Sequence, residues 1–319
     1  MSKKTKKNRI QLIVVFVVLL LAVIAVQVNK SKKGERSFKA ELLEFDTEEV
    51  VSISLQKQSG DQQSLRILLE NEKWIIKANE KSYDADSDLI KNMINELADL
   101  KAVQKVAAKK DKWSDFEVTD SSGIRVIVNN DRRVIGDLYI GRFSYNQNTR
   151  KPKTFVRLNN EKDVFAVEGY LSMTFNRDLN GLRDKSIFRG NKNDFTRITV
   201  SYPADSSFTL IKEEAGWMIN GVVADSVQTS NYLGSLAYLT ATEFRDDLEP
   251  ASLSGSPISI ILEGNNMGSV EIRAIQGEDG RTAIVSNANP NSVFNGDTGD
   301  LFTKIFVGPG IFLTGLESD

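Results

Sequence analysis

Asp84, Asp86 and Asp88 alternate as the opening ligands of a calcium loop do, and hard cations are held by clustered carboxylates. The rest of such a loop is missing, because Leu89 stands where the tight turn needs glycine and Asn95 where a bidentate glutamate should close the shell. The triplet reads better as a helix start, with Asp86 as the cap and acidic neighbours favoured by the helix dipole. Asp246-Asp247 and Glu213-Glu214 are adjacent carboxylates, read as solvated, and give no reason to propose a glycosidase. The chain contains no histidine and no cysteine, which removes the commonest general base, the usual transition-metal ligands, thiolate nucleophiles and disulfides. No G-x-x-x-x-G-K run occurs, so the chain is not itself a P-loop ATPase, and Gly308-Pro309-Gly310 reads as a turn. The expectation is a non-enzyme with no cofactor and no metal.

Recognition surfaces are better candidates. Trp74 and Trp217 offer flat indole faces for a ligand, but each ends a β-like run ahead of a helix, which is the place of a core anchor. Trp113 lies among charges in KKDKWSDFEV, outside that pattern, and is a candidate for meeting a partner or the headgroup region. Between Gly141 and Lys153 a loop carries Arg142, Tyr145, Arg150, Lys151 and Lys153 with no acid, which suits phosphate, a lipid headgroup or an acidic partner; a solvated hairpin tip is the plainer alternative. Trp113, Arg142, Tyr145, Arg150, Lys151 and Lys153 are therefore the candidate partner surface.

The elements that must position these residues occur twice. ADSDLIKNMINELADLKA, from Ala85 to Ala102, and ADSVQTSNYLGSLAYLTA, from Ala224 to Ala241, share eight of eighteen residues at a spacing of 139. A strand ending at Trp74 or Trp217 precedes each copy, so the repeated unit is a hairpin feeding a helix. Leu89, Ile90, Met93, Ile94, Leu97 and Leu100 form an apolar stripe at helical spacing, and Asn220-Gly221 predicts a type I′ turn. Further alternating runs follow each helix, so the fold class expected is α+β: a tandem duplication of an antiparallel sheet plus one main helix, preceded by one N-terminal transmembrane helix.

That helix is expected over 10–28, where the apolar run from Ile10 to Val28 follows a basic tail over 1–9 with Lys3, Lys4, Lys6, Lys7 and Arg9. Nineteen helical residues at about 1.5 Å each nearly cross the hydrocarbon layer. A cleaved signal peptide ending near Ala25 is the alternative; the lack of a polar segment before Ala25 favours an uncleaved anchor. Residues 29–43 read as a linker, 44–190 as the first unit and 191–319 as the second. The tail predicts contact with an anionic membrane surface; basic residues flank the span on both sides, so it is the length of chain after it, against a short tail, that puts the bulk of the chain outside the cytoplasm at the inner membrane. The formal net charge is only −2, with no basic excess in the folded part, so no nucleic-acid partner is expected; residues 221–319 hold 4 basic and 13 acidic side chains.

The tryptophan strand, the ADS-capped helix, Tyr139-Ile140-Gly141 read as a turn, Phe155-Val156-Arg157, Val164-Phe165-Ala166-Val167 and Leu182-Arg183-Asp184-Lys185 together resemble the bacterial domain-of-unknown-function family 4340 over essentially everything after the linker. The chain departs from the family pattern at Phe116-Glu117-Val118, where a Gly-Leu pair is usual. The resemblance implies a single-span envelope protein associated with gliding-motility-type ABC transporter components, whose integral membrane subunits would be its partners, and it brings no catalytic residues. The function expected is a membrane-anchored extracytoplasmic accessory or scaffold protein of an ABC-type transport or gliding-motility complex. The alternative is a binding module for an envelope lipid or glycan held between the repeats.

Overall fold

The computed structural model describes residues 40–57, 64–78, 81–147, 150–203, 206–250, 253, 258–277 and 279–313. The run from Val50 to Gln56 becomes strand β1 (Ser52–Lys57), in which Ile53 and Leu55 are buried and their neighbours are not. β2 (Leu65–Glu70), β3 (Lys73–Ala78) and β4 (Lys81–Asp84) follow as a meander. Then come helix α1 (Ser87–Ala98), β5 (Ala102–Ala107), β6 (Ile124–Asn129), β7 (Val134–Asn146), β8 (Lys151–Leu158), β9 (Val164–Glu168) and the short helices α2 (Leu171–Phe175) and α3 (Leu179–Leu182). These strands form one nine-stranded antiparallel sheet in the order β4-β3-β2-β1-β6-β7-β8-β9-β5.

The second unit repeats the series. β10 (Ser186–Arg189) leads to β11 (Phe195–Ser201), β12 (Phe208–Glu213), β13 (Gly216–Ile219), β14 (Val222–Val223), helix α4 (Ser226–Ala237) and β15 (Tyr238–Thr240). β16 (Ile258–Gly264), β17 (Val270–Gln276), β18 (Thr282–Ser286), β19 (Asn289–Asn295) and helix α5 (Leu301–Ile305) complete it. The eight-stranded order β14-β13-β12-β11-β16-β17-β18-β19 matches the first sheet strand for strand. β15, the counterpart of β5, pairs instead with β10.

The α+β class is corrected by these sheets. Among the described residues 46% are strand and 20% helix, so the protein is mostly β, each unit setting one twelve-residue helix against eight or nine strands. The transmembrane helix expected over 10–28 lies outside the described residues, and among those described no helix is long and apolar enough to cross a membrane. Ile187 and Phe188 pack in the core of the second unit, and β10 pairs with β15. Tyr139-Ile140-Gly141 is no turn but part of β7, at the register shift between Ile140 and Phe143.

Each helix covers one face of its sheet. Ile90, Met93, Ile94 and Leu97 meet Ile53, Ile67, Trp74, Ile76 and Val126, while Tyr232, Leu233, Leu236 and Ala237 meet Ile198, Leu210, Ile219 and Ile260. The Asp86 carboxylate accepts from Asp88 N and Leu89 N, and Asp225 accepts from Val227 N and Gln228 N. The other face of the first sheet is capped by the segment holding two 3₁₀ turns, Lys110–Lys112 and Ser114–Phe116, over Val118, Tyr139, Phe155, Val164 and Ala166. A Cβ at Gly141 would overlap Phe116 O, so this cover lies directly on the strand. Leu248 and Leu253 cap Ile275, Ala283, Val285 and Val293 in the second unit.

Candidate functional site

The units meet around Arg183, which follows α3. Its side chain is 2% exposed and lies between two rings, 3.4 Å from the Phe244 centroid and 4.4 Å from that of Tyr83. Arg183 Nη1 donates to both Asp246 oxygens at 2.8 and 2.9 Å and to Asn180 Oδ1 at 3.3 Å. Around this hub Asn291 Nδ2 donates to Asp84 Oδ2, Asn289 Nδ2 to the carbonyls of Asp184 and Ser186, and Arg189 faces Asp86 and Asp88. A cleft of about 300 Å³ remains at the junction, lined by Asp86, Asp88, Asp184, Ser186 and Arg189 among others. Ser186 Oγ and Asn289 Oδ1 are buried and find no partner among the described residues.

Between each helix and the turn before its tryptophan strand lies a groove. In the first unit it holds about 410 Å³ and is lined by Glu48, Glu72, Trp74, Ser87, Lys91 and Ile94 among others. In the second it holds about 280 Å³ and is lined by Lys192, Lys212, Trp217, Ser226, Ser230 and Leu233 with Val223 at its edge. Trp74 and Trp217, Ser87 and Ser226, Lys91 and Ser230, and Ile94 and Leu233 occupy equivalent places. The grooves differ in sign, since two glutamates and one lysine line the first, and two lysines with no acid line the second. Trp74 is buried, whereas Trp217 is only partly so.

The candidate partner surface is divided by the fold. Trp113 is partly buried: its Nε1 donates to Lys162 O at 3.0 Å and its ring covers the Arg157 guanidinium at 3.7 Å. Arg157, 2% exposed, also faces Tyr139 at 4.2 Å and donates to the carbonyls of Val118, Leu158 and Asn159. Burial lowers the Arg157 pKa and raises that of Tyr139. Arg142 is likewise pinned, donating to Asp115 O and lying 5.0 Å from the Phe155 ring. The hairpin does have an acid beside it, because β9 brings Glu168 to Lys151 at 3.0 Å. Tyr145 and Arg150 stay exposed, Arg150 at the tip with φ of 53°; Lys153 is part-buried opposite Glu168.

Sequence reasoning missed the hub. Adjacent in sequence and both partly exposed, Asp246 and Asp247 serve different arginines. Arg245, 3% exposed, binds Asp247 through Nε and Nη2 and Asp279 through Nη2. The hydrogen bond from Arg245 holds the Asp247 carboxyl down at about 2, and the backbone and side chain of Arg281 lower that of Asp279. Both are standing members of ion pairs. Among the described residues no cluster of three or more acidic side chains is arranged to hold a metal ion, and Asp84, Asp86 and Asp88 are spent on the junction and the cap.

A model of the family described as "Domain of unknown function (DUF4340)" matches residues 74–255, more than half of the chain. The chain belongs to this family. The match is narrower than everything after the linker and runs from the first tryptophan strand across the Arg183 junction into the second unit. No curated protein and no solved structure matches the chain.

Proposed function

We propose that this protein is a non-catalytic scaffold: an extracytoplasmic body, tethered at the inner membrane by the apolar run over 10–28, that holds integral membrane subunits of an ABC-type transport or gliding-motility complex. One observation carries the reading. Two copies of one unit are fastened by a sealed arginine and present equivalent grooves of opposite charge, which gives one chain two unlike docking positions at a fixed separation. The ordered arginines support it, because Arg157, Arg183 and Arg245 are each occupied by protein partners and act as struts. The basic tail adds attraction to an anionic leaflet. Cross-linking in intact cells followed by gentle solubilisation should bring transporter membrane subunits down in fixed ratio with the full chain; recovery of this chain alone would remove the reading. Protease reaching the outer face of the membrane should digest everything after Lys39, and full protection would remove the topology.

A second reading has its own observation. The junction cleft is polar, and the unpartnered Ser186 Oγ belongs to a residue lining it, which favours a small polar ligand such as a glycan fragment over a lipid. A glycan that co-purifies with the chain and raises its thermal midpoint would favour this reading.

A further inference from the structure

The two units differ at the outer edge of their sheets. In the first unit the outermost strand β4 is covered: Asp184 N donates to Asp84 O at 2.9 Å, Ala85 bridges to Arg183, Asn291 reaches Asp84, and Tyr83 lies under Arg183. An extended stretch carrying a carboxylate thus runs beside that edge. Its counterpart β14 is the edge strand of the second sheet, with no strand beyond it among the described residues, and Val222 is 58%, Val223 56% and Val227, on the first turn of α4, 64% exposed. Exposed apolar strand edges are where a further strand adds.

Charge selects what would add. Lys192 and Lys212 both line the groove, are exposed, and reach only neutral groups: Lys192 Nζ lies 3.5 Å from Ser230 Oγ and Lys212 Nζ 3.5 Å from Asn193 O. Trp217, Val223 and Leu233 supply an apolar floor. Glu213 and Glu214, in the neighbouring turn, do not line the groove.

We propose that this groove is the docking site for an extended, acidic and apolar segment of a partner protein, which sets apolar side chains against Trp217 and Val223, carboxylates against Lys192 and Lys212, and main chain along β14. The assignment rests on the reading of the grooves as docking positions and names the chemistry of the segment, whichever complex carries it.

The test uses the full chain in detergent and a fluorescent peptide of about eight residues alternating valine and glutamate, with a valine and lysine peptide as its mirror. Anisotropy should report binding of the acidic peptide only, weakening with salt, and Lys192→Glu with Lys212→Glu should reduce affinity by roughly tenfold or more. Val223→Asp, which leaves both lysines in place, should do the same, and Glu48→Lys in the first groove should change nothing. Unchanged thermal midpoints would show that the variants are folded. Equal binding of both peptides, no binding of the acidic one, or full affinity in the double variant overturns the proposal. So does a shift caused by Glu48→Lys, which would place the peptide in the other groove. Binding that appears only after residues 314–319 are deleted would make the chain's own end the occupant, and would equally overturn it.

Discussion

The two units keep their main-chain frame and differ in nearly everything attached to it. Ala85 N donates to Trp74 O and Ala224 N to Trp217 O; Asp86 N donates to Leu182 O and Asp225 N to Phe312 O; Ala102 N donates to Ala40 O and Ala241 N to Lys185 O. Three pairs of equivalent bonds therefore tie helix, tryptophan strand and incoming segment together in both. The covers diverge: the first holds Arg157 on backbone carbonyls and rings, the second holds Arg245 on two carboxylates. The edges diverge as well: β4 is covered at its Tyr83–Asp84 end, while both residues of β14 are exposed. The frame specifies the fold, which leaves the surfaces free to specialise.

The comparison is broken most severely through the cores. Leu97 and Leu236 are both 0% exposed at equivalent helix positions, and replacing either by alanine should cost about 2–5 kcal/mol, read by denaturant unfolding. Each substitution should fall on its own unit, so hydrogen exchange should quicken in one sheet and not the other. A loss spread evenly over both sheets would mean that they unfold as one body.

The next effect concerns the fastening. Arg183→Ala removes a bidentate contact and leaves a gap between Tyr83 and Phe244. Asp246 is 45% exposed, so water replaces part of what it loses, and the expected cost is about 1.5–3 kcal/mol, the range for a hydrogen bond to a charged group, below that for breaking a sealed pair. Calorimetry should resolve two transitions in this variant where the parent gives fewer. An unchanged single transition would mean that the hub does not couple the units.

Much of the frame was legible in the sequence, because its signals are local. The stripe through Ile90, Met93, Ile94 and Leu97 is the buried face of α1, Asp86 and Asp225 cap their helices, and Asn220 and Gly221 both take positive φ as a type I′ turn requires. The class differs from the α+β expected because one strongly periodic helix, the stripe of α1, weighs more in a reading by pattern than many short strands. The site was hardest to read. Arg183 and Asp246 are 63 residues apart, and nothing local distinguishes a carboxylate aimed at one buried arginine from its neighbour aimed at another. The Leu182-Arg183-Asp184-Lys185 segment was the available signal. Trp113 lies among charged neighbours in the sequence, and its ring packs on the Arg157 guanidinium with Lys110 Nζ 5.3 Å away.

The caps test whether equivalent residues still do equivalent work. Asp86→Ala and Asp225→Ala should each cost about 1 kcal/mol, the typical value for a lost N-cap. Asparagine keeps the cap and removes the charge, so Asp225→Asn should be nearly neutral. Asp86→Asn should cost slightly more, because Asp86 also faces Arg189 at 3.8 Å across the junction. Identical values for the two asparagine variants, measured by urea unfolding, would mean that this ion pair contributes nothing, as many exposed pairs do.

The smallest effect separates the two covers by acid. Asp247 is held at about 2 by Arg245, below its ordinary value of 3.8, so the folded state binds this proton less readily than the unfolded chain does. Its contribution is complete above the ordinary value and is lost as pH falls from about 4 through about 2. The first cover depends less on acid at its centre, since Arg157 is held chiefly by the carbonyls of Val118, Leu158 and Asn159, which do not titrate, and its carboxylate partner Asp120 is exposed and 3.9 Å away. Acid should therefore loosen the second cover before the first, with amides near Val285 and Val293 exchanging sooner than those near Phe155 and Val164. Asp247→Asn isolates the effect from the general titration of carboxylates: between pH 4 and pH 2 the parent should lose more stability than the variant. Parallel losses would show that Asp279 alone is enough to hold Arg245, and that the two covers differ in composition without differing in strength.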